Sequence, residues 1–268
     1  MGLFDVHAHL TSSRFDGELP QILARARDAK VTTIVSNGLH VEDNKKVLEL
    51  AAKENIVKPA IGFYPVDAVL PEMTADGVDY PREDVDPHSA EETIEWIRAH
   101  ADQAIAIGEI GLDHHWVPEK YWKRQEHIFQ ELVQIALDFD LPIIIHTRKA
   151  EARAFEMLQE MKVERADFHC FSSRLKLGRR IAEAGYYLSV PANARRSETF
   201  TGMLKTMPRS QLLLETDCPY LSPEPGTRNE PANVKGTVEY AAELWGLSEA
   251  EALRTLEENF RRLFRLTA

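Results

Sequence analysis

The stretch Leu3-Phe4-Asp5-Val6-His7-Ala8-His9 is an apolar run that ends in two histidines instead of a glycine-rich turn. That ending separates two ways of building a parallel sheet. An open, doubly wound sheet that binds a dinucleotide follows its first strand with a Gly-rich phosphate turn. None follows here, which favours a closed barrel. On a strand, side chains alternate faces, so Asp5, His7 and His9 share one side. Two imidazoles so placed can hold one metal ion. Asp5, one step deeper, is positioned to orient a ligand from behind.

Seven more runs of this kind follow, at residues 31–35, 57–63, 104–107, 142–145, 166–168, 186–190 and 211–214. The runs at 3–6, 104–107, 142–145 and 211–214 are nearly all apolar, as expected of parallel strands buried on both faces. Amphipathic stretches lie between them. Residues 121–139 carry Ile128, Leu132, Ile135 and Phe139 at helical spacing. Eight strand-like runs alternating with helices predict an α/β fold, a TIM (β/α)8 barrel. The 268 residues suit one domain spanning 1–268, because single barrels of this kind run to about 250 residues.

Composition narrows the class. Apolar residues make up 44% and charged residues 28%, ordinary for a folded globular chain. No apolar run approaches the roughly 20 residues of a membrane helix. The first residues lack the pattern of a signal peptide, so the expected location is cytoplasmic. The two cysteines, Cys170 and Cys218, do not make a disulfide framework and read as small thiols packed beside candidate ligands. The net charge of −11 weighs against broad electrostatic binding of duplex nucleic acid but allows a phosphodiester gripped locally. No obligate protein partner is implied.

Two segments stand out. Residues 65–87 are long for a connection, lack an apolar period and are rich in acids (Asp67, Glu72, Asp76, Asp79, Glu83, Asp84, Asp86, against Arg82). They read as a solvated excursion on the catalytic side of the third strand. Near the C-terminus, Ser248 and Glu251 form a capping-box pattern, followed by an apolar stripe of Leu253, Leu256, Phe260, Leu263 and Phe264. That stripe is packing.

The chemistry lies at the ends of the runs. Glu109 follows 104–108, His146 follows 142–145, His169 follows 166–168 and Asp217 follows 212–216. In a TIM barrel, catalytic groups sit at the C-terminal ends of different strands. With His7 and His9 they supply four imidazoles and two carboxylates, more than one tetrahedral ion needs. Two divalent ions (Zn, Mg or Mn) sharing a carboxylate would use them all. Such a pair activates a water and stabilises the leaving oxygen of an in-line displacement.

The chain resembles the TatD family of metal-dependent hydrolases, within the amidohydrolase-like barrels. The matching segments are Asp5-Val6-His7-Ala8-His9-Leu10, Gly108-Glu109-Ile110-Gly111-Leu112-Asp113, Ile145-His146-Thr147-Arg148, Phe168-His169-Cys170-Phe171-Ser172, Glu215-Thr216-Asp217-Cys218-Pro219-Tyr220-Leu221 and Asn229-Glu230-Pro231-Ala232-Asn233-Val234. The resemblance implies that His7 and His9 hold one ion, His146 and His169 the other, and Glu109 bridges them. Asp217 would bind the first ion beside a nucleophilic hydroxide shared by both. It further implies a deoxyribonuclease of 3′–5′ exonuclease type, acting on nucleic-acid ends or short oligonucleotides. The alternative is an acyl-ester hydrolase such as a D-aminoacyl-tRNA deacylase. Tyr64, Lys149 and His114 depart from the family pattern, where His, an acid and Tyr are usual, and bear on substrate choice.

Arg148 and Trp116 are the candidate substrate contacts, for a phosphate and a base respectively. Phe63 is a second candidate for stacking, and Lys149, Arg174, Arg179, Arg195 and Arg228 are further candidates for phosphate oxygens. His40, His88, His100 and His127 receive no role.

Overall fold

Apolar runs without alternation must be covered on both faces, and a closed barrel ringed by helices does this. The computed structural model describes residues 2–78, 80 and 87–266. Its strands are β1 (Leu3–Ala8), β2 (Val31–Asn37), β3 (Val57–Ile61), β4 (Ala106–Asp113), β5 (Ile143–Arg148), β6 (Ala166–Phe168), β7 (Tyr187–Val190) and β8 (Leu212–Leu214). They pair in parallel in sequence order. The circle closes just beyond β8, where the Asp217 amide donates to the His7 carbonyl at 2.9 Å and the His9 amide to the Cys218 carbonyl at 2.8 Å. The fold is a TIM barrel, as predicted.

The strands reach further into polar sequence than their apolar runs. β4 continues through Glu109 to Asp113, and β5 through His146 to Arg148. Ladder bonds do not require apolar side chains, so an apolar run marks only the packed part of a strand. The β4–β5 register shifts between Ile107 and Ile110, the kind of irregularity that re-aims a side chain. Here that side chain is Glu109. Gly111 has φ +152°, and a Cβ there would lie 1.9 Å from the His146 carbonyl. Glycine therefore lets β4 and β5 approach at the level of the site.

The helix Trp122–Asp138 buries Ile128, Leu132 and Ile135. Phe139 lies past its end and is exposed, so it does not belong to the stripe. The final helix, Glu249–Phe264, starts with the expected capping box. It buries Leu256, Phe260, Leu263 and Phe264, and Phe260 stacks on Phe4 of β1 at 4.6 Å.

The segment 65–87 departs from expectation. It contains a short helix, Leu70–Ala75, and its residues Val66, Val69, Leu70 and Met73 are buried, as is Asp67. The 66/69/70/73 spacing is helical, but it is diluted by surrounding acids. Glu72 pairs with Arg124 at 3.1 Å and Asp76 with Lys120 at 2.6 Å, so this part packs on the barrel. Asp79, Arg82, Glu83, Asp84 and Asp86 lie outside the described residues. Among the described residues, no helix is long and apolar enough to cross a membrane.

Candidate metal centre

Barrel closure brings His7, His9, Glu109, His146, His169 and Asp217 to one place at the C-terminal ends of the strands. Glu109 stands at the middle of the group, and its two oxygens divide the histidines. Oε2 lies 3.4 Å from His7 Nε2 and 3.4 Å from His9 Nε2. Oε1 lies 3.0 Å from His146 Nδ1 and 3.2 Å from His169 Nε2. Asp217 Oδ1 faces the first pair, at 3.7 Å from His7 Nε2 and 3.4 Å from His9 Nε2.

Each of three imidazoles has a partner behind it. His9 Nδ1 meets the Asn37 carbonyl at 3.1 Å, which leaves Nε2 aimed inward. His146 Nε2 meets Asp113 Oδ2 at 3.1 Å and leaves Nδ1 for the centre. His169 Nδ1 lies 3.7 Å from Glu215 Oε2. Asp113, Glu215 and Asn37 were not among the predicted site residues. Asp113 had a signal: it stands four residues after Glu109 and so shares its strand face.

Asp5 does something other than expected. Its carboxylate accepts from the Thr216 amide at 2.9 Å, the Thr216 hydroxyl at 2.5 Å and the His7 amide at 3.2 Å. It orients the backbone that carries Asp217, not an imidazole. Burial pushes its carboxyl up to about 8 despite those bonds.

The electrostatics fit cations. Burial works against an ionised Glu109. The charge of His169 and bonds from His146, His169 and His7 outweigh it and hold the carboxyl well below its usual range. Burial likewise opposes a charged His169, yet Glu109 and Glu215 raise it well above an ordinary histidine. His7 is lowered, by burial and then by the charge of His169. His7 Nε2 and His9 Nε2 face each other at 3.1 Å. Two lone pairs meeting at that distance need a proton or a cation between them. Four imidazoles and two carboxylates converging in this way suit divalent ions of the Zn or Mn type.

Around the mouth, Trp116 is exposed and Arg148 lies over its ring, 5.6 Å from the centroid. Tyr64 meets His146 edge-on at 5.0 Å. Phe63 is fully buried and is core, not a stacking surface. Beside the centre, the segments after β5 and β6 form a groove of about 550 Å³, lined by His114, Lys149, Ser173, Arg174, Lys176 and Arg180 among others. Among the described residues, Lys149, Arg174 and Lys176 enter no ion pair. Of the other candidates for phosphate, Arg195 pairs with Glu243 at 2.8 Å, Arg228 with Glu18 at 2.7 Å, and Arg179 donates to the Thr206 carbonyl at 2.8 Å. Those bonds commit them elsewhere. Cys170 sits in a turn and Cys218 in the bridge to Ala8 that closes the barrel, and burial pushes both thiols well above their ordinary value.

Comparison with known proteins adds to this geometry. The family model described as TatD related DNase matches residues 4–265. The metal-dependent hydrolase YabD of Bacillus subtilis is 35% identical, with 98% of this chain and 99% of that protein covered. Human deoxyribonuclease TATDN3 is 31% identical, with 98% and 95% covered. The crystal structure of the Escherichia coli TatD homologue YJJV superposes with a TM-score of 0.85 at 25% identity, covering 99% of this chain and 98% of that one.

Proposed function

This chain belongs to the TatD family of metal-dependent hydrolases, and on that footing we propose that it is a two-metal phosphodiesterase acting on nucleic-acid ends. The observation that carries the metal pair is the division of the Glu109 oxygens between His7 with His9 and His146 with His169. His7, His9 and Asp217 would hold one ion, His146 and His169 the other, with Glu109 shared. Two divalent ions held there would supply a water made acidic and charge stabilisation for the reacting phosphoryl group.

The chain's own residues do the rest. The Asp217 carboxylate takes the proton of the attacking water. Asp5, through Thr216, fixes the backbone on which Asp217 stands. Arg148 contacts the scissile phosphate and Trp116 stacks on the terminal base. The basic groove receives the neighbouring phosphates. The groove favours a substrate that carries several phosphates, because it gathers Lys149, Arg174 and Lys176 on a chain of net charge −11. The name of the human relative, deoxyribonuclease TATDN3, points the same way.

An end-labelled single strand, a covalently closed circular duplex and an aminoacyl ester, each with and without chelator, test this reading. We expect metal-dependent shortening of the single strand and little nicking of the circle. Duplex binding without base preference relies on many Lys and Arg contacts, and the net charge of −11 opposes it. Efficient nicking would overturn the preference for ends. Turnover of the aminoacyl ester alone would move the assignment to acyl transfer.

The groove makes a separate prediction. Lys149→Glu with Arg174→Glu should raise KM for oligonucleotides and leave kcat near normal. The log–log salt dependence of binding should become shallower by about 0.7 for each phosphate that is no longer neutralised. An unchanged KM and salt slope would show that the groove is solvated surface.

A further inference from the structure

A second group of metal-type side chains stands outside the centre. His40 follows β2, Glu42 lies in the first turn of the helix Val41–Lys53, and His88 precedes the helix Ala90–His100. Glu42 Oε2 is 3.7 Å from His40 Nδ1 and 3.5 Å from His88 Nε2. The two imidazole rings lie nearly parallel, 4.9 Å between centroids. The three donor atoms all fall within 4.8 Å of one another.

We propose that His40, Glu42 and His88 form a further divalent-metal site, distinct from the centre, that takes a Zn²⁺-type ion. The donor chemistry and the spacing both support it. Two imidazoles and a carboxylate are a common zinc set. Bonds of about 2.0–2.1 Å in a tetrahedron place neighbouring donors about 3.3–3.5 Å apart. The His88 separation falls within that range and the His40 separation lies just beyond it, and both fall within the 3.0–3.7 Å spread around Glu109 and Asp217. The other Glu42 oxygen, Oε1, faces Lys45 at 3.8 Å, so Oε2 is the one presented to the histidines. A cavity of about 270 Å³ opens beside Glu42 and His88, also lined by Ser89 and Glu92, and has room for water as the remaining ligand.

The place in the fold gives the site a consequence. The Asn37 carbonyl meets His9, the Glu109 amide donates to the Gly38 carbonyl at 3.2 Å, and His40 follows two residues later. An ion on His40 and His88 ties this segment to the residues that precede the helix Ala90–His100. It thereby braces the backbone behind two residues of the centre. Both flanking helices present their N-terminal ends here, and the partial positive charge of those ends opposes a cation. The outer ion is therefore bound more weakly than the central pair and leaves first under a chelator.

The test uses Zn²⁺ alone as the probe on the whole chain. Metal-stripped protein is titrated calorimetrically and its bound zinc counted. We expect the His40→Ala, His88→Ala double variant to bind one fewer equivalent per chain than the parent, losing the weakest one, with its circular dichroism unchanged. Glu42→Gln should weaken that equivalent without touching the tighter ones. An equal count in the parent and the double variant overturns the proposal. A crystal of the parent soaked in excess Zn²⁺ gives a reading independent of how the variants fold. An anomalous peak between His40 Nδ1, Glu42 Oε2 and His88 Nε2 supports the site, and its absence overturns it.

Discussion

Glu109→Gln leaves a folded protein that retains neither central ion at normal affinity. The expectation follows from the way one carboxylate serves two groups. Oε2 faces His7 and His9, while Oε1 faces His146 and His169. An amide keeps one oxygen and replaces the other by a donor NH2, which must then point at a pair of imidazole lone pairs. Altering a residue merely behind a ligand costs about 10–100-fold in metal affinity or activity. Removing a direct ligand of both ions should exceed about 100-fold. Elemental analysis after dialysis, read beside circular dichroism, measures it. Full occupancy with normal turnover would refute the bridging role.

Asp217→Asn behaves differently, because Asp217 touches only one histidine pair and stands nearer to solvent. Its side chain is 15% exposed against 3% for Glu109, so it is the carboxylate that an incoming substrate and water can reach. Burial alone would raise its carboxyl, but the bond from His9 and the charges of His7, His9 and His169 hold it below the usual carboxylate range. It is therefore ionised at neutral pH, and it would take a proton only from a water that bound cations had made acidic. Asparagine keeps an oxygen for ligation but cannot take that proton. We expect most of the metal to remain and turnover to fall by about 10²–10⁴-fold, the usual worth of general acid–base help. Measuring kcat on samples of known metal content separates the two effects. Wild-type turnover in the variant would make Asp217 structural only.

The barrel and the candidate ligands were legible in the sequence for the same reason. Buried parallel strands are continuous apolar runs, and a barrel puts its chemistry where those runs stop. Polar residues at five run ends were therefore visible without coordinates. The helix Leu70–Ala75 was not, because acids interrupt its short apolar period. Phe63 and Phe139 illustrate a related limit. Residue type suggested a stacking surface for Phe63 and helical spacing a packed position for Phe139, and burial reversed both.

By itself the sequence determined which strands exist, that His7 and His9 share one face, and which residue types converge at the strand ends. Those properties depend on local period and on chain order. Tertiary structure alone decided which groups meet. Asp5 contacts Thr216 across 211 positions because β1 and the segment after β8 close the circle there. Asp113 stands behind His146, and Asn37 behind His9, because neighbouring strands are staggered at a particular register. The same register places one oxygen of Glu109 on each histidine pair. A strand's own pattern says which way a side chain points. What it points at is set by the neighbouring strand, and that depends on how the whole barrel closes.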